Sequence, residues 1–211
     1  MPSRPPPRAK ASRQPKSYHH GNLRPALLAA AERELAEHGI EGFSLRGVAK
    51  RAGVSHAAPA HHFADATGLL TALAALGFER FVAAQKARQT KAATDGLSQL
   101  VAAGLGYIDF ARAHPALFRL MFSSDRPDHG DRTLCASAEA AMAKLVDDVR
   151  GADPQADAAG TLADRAATAW ALAHGLADLL VAGRLKMVLK RPAAEQQSSL
   201  AAILRQGLAP R

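Results

Sequence analysis

The stretch Ser44–Phe63, SLRGVAKRAGVSHAAPAHHF, limits most what this chain can fold into. Leu45, Val48 and Ala49 fall at i, i+3 and i+4, the inner face of a short helix that Ser44 can cap. Gly53 stops that helix, because a residue without Cβ takes positive φ at little cost. Val54 follows as a buried plug, and Ser55 is placed to cap a third helix running through His62. Helix, glycine-centred turn and short helix is the helix-turn-helix spacing. Two helices locked in this way hold the second as a rod that fits a DNA major groove, about 12 Å wide.

Helical periodicity continues on both sides. Leu27, Ala30, Ala31 and Leu35 form the stripe of a first helix, Leu23–His38, with Asn22 as its cap and Gly39 as its stop. Leu27, Leu35, Phe43, Val48, Val54 and Phe63 are the expected small core of a three-helix unit. A long fourth helix begins near Asp65. Asp95 and Asp131 open the fifth and seventh helices, and Pro115–Phe122 makes the sixth. An eighth helix over 161–189 and a ninth over 193–208 complete the chain, with Pro192 forcing the break between them. The expectation is an all-α protein of about nine helices. Composition supports it: 49 of 211 residues are alanine, while Val, Ile and Thr supply only 18 and aromatics 5%, too little for a large sheet.

Charge divides the chain. Residues 1–63 hold ten Lys/Arg and four Asp/Glu, a surplus of six; residues 64–211 hold seventeen and fifteen, a surplus of two. A basic first third on a nearly neutral remainder points to a polyanion-binding end. Residues 1–20, with five prolines and five positive charges, are expected to be a disordered basic arm. The expected units are then this arm, a DNA-binding domain over 21–81 with its helix-turn-helix at 44–63, and a nearly neutral helical domain over 92–208. The single cysteine, Cys135, excludes an internal disulfide and suits a reducing cytoplasm. The most apolar long run, Ala166–Ala182, is interrupted by His174 and Asp178 and is a better buried helix than a membrane span.

Arg46, Lys50 and Arg51 lie on or beside the first helix of the motif, where phosphate contacts are expected. The reading helix itself offers small side chains and histidines. His56 and His61 are expected to carry most of its contacts, while His62 is expected to cap carbonyls at the helix end. An imidazolium on a phosphate would make DNA binding tighter from pH 8 to pH 6. The pairs His19-His20 and His61-His62 lack a completing carboxylate or cysteine, so no metal site is expected. In the second half, Trp170 and His174 share one helix face. They are either core, with His174 bonded to a backbone carbonyl, or the wall of an apolar pocket completed by Tyr107, Ile108, Phe118, Met121 and Phe122. Gly175 beside them lets another helix approach. His174 and Asp178 lack a nucleophile or phosphate loop, so neither an enzyme nor a cofactor is expected.

These residues carry a resemblance. Leu27-Leu28-Ala29-Ala30-Ala31, Gly39, Phe43–Ala49, Ala52-Gly53-Val54-Ser55, His62-Phe63 and Leu69-Leu70 are similar to the DNA-binding domain of TetR-type transcriptional regulators. Ala169–Leu176 and His114–Phe122 resemble a C-terminal subfamily marked by Trp-x-x-x-His-Gly. The resemblance implies contacts to double-stranded DNA from Ser44, Arg46, Lys50, Ser55, His56, Ala57 and His61. It also implies a small-molecule effector held by Tyr107, Phe118, Met121, Phe122, Trp170 and His174. It implies a homodimer through helices eight and nine, where Leu179, Leu180, Leu200, Ile203 and Leu204 fit a buried face, and repression of a palindromic operator. The family usually has tyrosine and lysine, both phosphate contacts, where this chain has Ala60 and Ala66. That implies weaker binding to all sequences and a flatter salt dependence.

Overall fold

The computed structural model describes residues 23–209, so Asn22, the basic arm and His19-His20 lie outside the described residues. Within them the chain forms ten helices: α1 (Leu23–His38), α2 (Leu45–Ala52), α3 (Ala58–Phe63), α4 (Ala66–Gln89), α5 (Gly96–Ala113), α6 (Pro115–Phe122), α7 (Arg132–Ala152), α8 (Leu162–Val181), α9 (Lys186–Leu189) and α10 (Ala193–Leu208). The aspartates start helices as their short acceptor side chains dictate. Asp65 accepts from Gly68 N–H, Asp95 from Ser98 N–H, and Asp131 from Thr133 and Leu134 N–H. The Ser98 bond also holds the Asp95 carboxyl below its ordinary range.

Two helix boundaries correct the sequence expectation. The eighth helix ends at Val181, because Gly183 turns into the left-handed region (φ 66°), and the Gly183 and Arg184 N–H groups close back on Leu180 and Leu179 carbonyls. The four-residue α9 fills the space before Pro192, so the expected ninth helix is α10. The third helix starts at Ala58, three residues after Ser55.

Packing follows the apolar faces. Leu27, Leu35, Phe43, Val48 and Phe63 are buried between α1, α2 and α3; Val54 is only half-buried at the edge of that core. α4 begins against α3, passes α1 and α6, and continues between α5 and α7. It is long and apolar enough to cross a membrane by length and composition, and half of that stretch is buried against neighbouring helices. α5 sits at the centre of the C-terminal half, touching α4, α6, α7, α8 and α10. Gly106 makes one of those crossings possible: a Cβ there would strike the Gln85 and Ala84 backbone of α4.

Candidate DNA-reading face and ligand cavity

The reading head is built by local bonds. Ser44 caps α2 by accepting from Gly47 N–H at 3.1 Å. Gly53 closes it at φ 67°, ψ 34°, with Gly53 N–H donating to Lys50 O and Val54 N–H to Ala49 O at 3.2 and 3.1 Å. Ser55 does not cap α3. Its carbonyl instead accepts from Ala58 N–H at 3.1 Å, and the helix begins only at Ala58, with Ala57 at the cap position and Pro59 in the first turn. The far end closes through Ala64, a non-glycine residue at φ 65°, ψ −63°, whose N–H donates to Ala60 O at 2.8 Å. That bond takes the role expected of His62, whose exposed ring lies against His61 and Phe63. Ser44, Arg46, Lys50, Ser55, His56, Ala57 and His61 all lie exposed on α2, the turn and α3.

Arg51 is placed differently from its two basic neighbours. Its Nε lies 2.5 Å from Glu34 Oε2 and its terminal nitrogen 2.5 Å from Glu37 Oε2, both on α1. The pairing lowers the Glu37 carboxyl and raises the guanidinium. Glu34 is 3% exposed, and its carboxylate lies against α2 where a Cβ on Gly47 would sit. A buried carboxylate on a guanidinium fixes α2 to α1, so Arg51 clamps the head. Sequence reasoning passed over Glu34, although it stands at i+7 from Leu27 and i+3 from Ala31, within the buried stripe.

The C-terminal half forms a half-open cavity of about 200 Å³ between α4, α5, α7 and α8, with Met142 and Trp170 at its exposed side. Phe78, Phe81, Tyr107 and Phe122 supply an aromatic wall, Met142, Leu145, Ala169 and Trp170 face it, and Leu208 of α10 closes one end. Of the six expected ligand contacts, Tyr107, Phe122 and Trp170 line this space. Phe118 is 1% exposed in the core behind it, and Met121 lines a separate recess of about 110 Å³ with Pro127, His129 and Cys135. His174 stands one layer back, its Nδ1 2.7 Å from the Tyr107 hydroxyl and its ring against Phe118 and Phe122. The expected backbone-carbonyl partner of His174 is therefore replaced by Tyr107. Burial pushes the Tyr107 phenol well up, which Trp170 offsets only in part. The hydroxyl keeps its proton and shares a hydrogen bond with Nδ1. Asp178, one turn on, is exposed. Gln85, Met142 and Leu145 were not read from sequence; Gln85 was legible as a polar residue at i+4 from Phe81 and i+7 from Phe78.

α4 joins the two sites. Arg80 pairs with Glu32 of α1 at 2.5 Å, and His114, between α5 and α6, reaches the other oxygen of Glu32 at 3.0 Å. At the far end Gln89 accepts from Lys144 Nζ at 2.8 Å and donates to Asp148 at 3.0 Å, while Gln99 donates to the Gln89 carbonyl at 3.1 Å. The helix that forms the cavity's aromatic wall is thus bonded to both the head and the bundle.

Known proteins share this arrangement. Residues 27–73 match the family described as bacterial regulatory proteins, tetR family, and residues 100–205 match the tetracyclin repressor-like C-terminal domain. The latter match does not assign the chain to a Trp-x-x-x-His-Gly subfamily. No curated protein matches. A structure of a protein of unknown function from Rhodococcus sp. RHA1 is 35% identical, with a TM-score of 0.74, covering 93% of this chain and 100% of that one. A TetR family transcription regulator from Marinobacter aquaeolei VT8 (19% identity, TM-score 0.67, 90% and 97% covered) and the TetR family transcriptional regulator PfmR from Thermus thermophilus (17%, 0.62, 86% and 96%) share the fold. With its helix-turn-helix and helical C-terminal half both matched, this chain belongs to the TetR family of DNA-binding transcription regulators.

Proposed function

We propose that this regulator is a homodimeric repressor that leaves a palindromic operator when a small, largely apolar molecule enters the cavity. The observation that carries the reading is the clamped head: Arg46, Lys50, His56, Ala57 and His61 stand exposed on a motif fixed by Gly53, Ser44 and the Glu34–Arg51 pair. Arg46, Lys50, Ser44 and Ser55 hold phosphates; His56, Ala57 and His61 meet the groove. The DNA-binding unit is 21–81 and the regulatory unit 92–208, and the protein works beside its DNA in the cytoplasm.

The outer faces of α8 and α10 support the dimer. Leu180, Leu200 and Leu204 are buried within the subunit. What remains outside is a ridge of small residues, Ala163, Ala167, Ala171 and Gly175, ending in Leu179, beside Ala194, Ser198 and Ala202. A Cβ on Gly175 would meet nothing of its own subunit. Two such ridges pack closely about a two-fold axis. A ligand favours whichever state it binds better, so a molecule that separates α4 from α7 and α8 tilts the head through Arg80–Glu32. A regulator without an inducer is the second reading, in which Trp170 and Tyr107 serve packing alone.

Fluorescence anisotropy with labelled duplex DNA tests the proposal. Arg46→Ala and Lys50→Ala each weaken binding to every sequence and reduce the salt slope by about one. Unchanged affinity and slope in both variants would remove the assigned surface.

A further inference from the structure

Resting on the reading above that the cavity takes an effector, we infer that this effector is an uncharged molecule built on one substituted ring, with a carboxamide or similarly paired donor and acceptor that docks on Gln85. Gln85 is 7% exposed and its side chain lines the cavity. Among the described residues nothing hydrogen-bonds its side-chain amide, whereas Gln89, one turn further, is bonded to α5 and α7. Among the described residues every fully sealed side-chain nitrogen and oxygen has a partner, so the Gln85 amide opens onto the cavity space. It offers an NH₂ and a carbonyl side by side. Only a group carrying both a donor and an acceptor satisfies the two together.

Charge and size narrow the class. None of the lining residues is Asp, Glu, Lys, Arg or His. A carboxylate or ammonium would lose its hydration there and gain no counter-charge. A dry apolar cavity of about 150 Å³ takes benzene, so about 200 Å³ takes a ring with a short arm and one polar group. The aromatic edges of Phe78, Phe81 and Phe122 suit a flat ring. Gly106 packs onto the Gln85 backbone, so a ligand held by this amide bears directly on α4.

Trp170, the chain's one tryptophan, lines the cavity and reports its occupancy by fluorescence. The full chain is titrated with 4-propylbenzamide, 4-propylbenzoate and 4-propyltoluene, and the melting temperature is followed in parallel. The amide binds about tenfold more tightly than either analogue. Gln85→Leu removes that preference, leaves the hydrocarbon's affinity equal or higher, and melts no lower than wild type without ligand, since it deletes a polar group that the fold leaves unbonded. Benzoate binding as tightly as the amide overturns the uncharged class, and toluene binding as tightly overturns the role of Gln85; both leave the cavity an effector site. A Gln85→Leu melting temperature several degrees low shows that the amide serves the fold and overturns the assignment. No response to any of the three in wild type overturns the effector reading itself.

Discussion

Gly47→Ala isolates the clamp that holds the reading head. In an exposed helix the change stabilises by about 1 kcal/mol, because alanine loses less conformational freedom. Here the new methyl falls on the Glu34 carboxylate. That carboxylate ends a flexible chain and can swing aside, but doing so breaks its 2.5 Å pair with Arg51 while Glu34 remains 3% exposed. Separating a buried carboxylate from its partner costs about 3 kcal/mol or more. The net is a destabilisation of about 2 kcal/mol, or roughly 4–8 °C in melting temperature for a chain of this size. With Glu34→Ala already in place there is nothing to displace, and Gly47→Ala becomes neutral or stabilising by about 1 kcal/mol. Urea unfolding of the four proteins, followed by circular dichroism, gives a coupling of about 3 kcal/mol. Equal effects of Gly47→Ala in both backgrounds would refute the clamp.

Other outcomes follow from single residues. Ala64→Gly relieves a left-handed residue in a tight turn and raises stability by about 1 kcal/mol in urea unfolding. Tyr107→Phe strands His174 Nδ1 and lowers stability by about 1–2 kcal/mol. Because burial raises the Tyr107 phenol, the unfolded chain releases that proton first; this contribution to stability is complete below about pH 10 and falls as alkali is added, visible as phenolate absorbance appearing together with unfolding. The His56→Ala/His61→Ala double variant binds duplex DNA several-fold more weakly than the wild type, measured by anisotropy at fixed salt.

Much of this molecule is legible in its sequence because its helix starts are chemical. Ser44, Asp65, Asp95 and Asp131 cap through short acceptors, and Gly53 ends α2 as its missing Cβ allows. Ser55 shares the chemistry of Ser44, but α3 starts only at Ala58 and the Ala58 N–H is taken by the Ser55 carbonyl, so Ala57 stands at the cap position. The break at Gly183 was hidden by apolar spacing that continues into α9 through Leu185, Val188 and Leu189. The cavity was half legible: the aromatic wall comes from spacing, whereas the contributions of Met142 and Leu145 depend on how α7 lies across α4 and α5. Glu34 and Gln85 give the same signal in two places. Each is a polar residue in an apolar register, one bonded across helices and one facing a cavity.

The most direct test of the account is selection of duplexes from a random library by the full chain at low salt. It predicts enrichment of one two-fold symmetric sequence, lost when His56, Ala57 and His61 are replaced together. Retention of no duplex, or of all duplexes equally, would contradict the placement of the reading helix in a DNA groove.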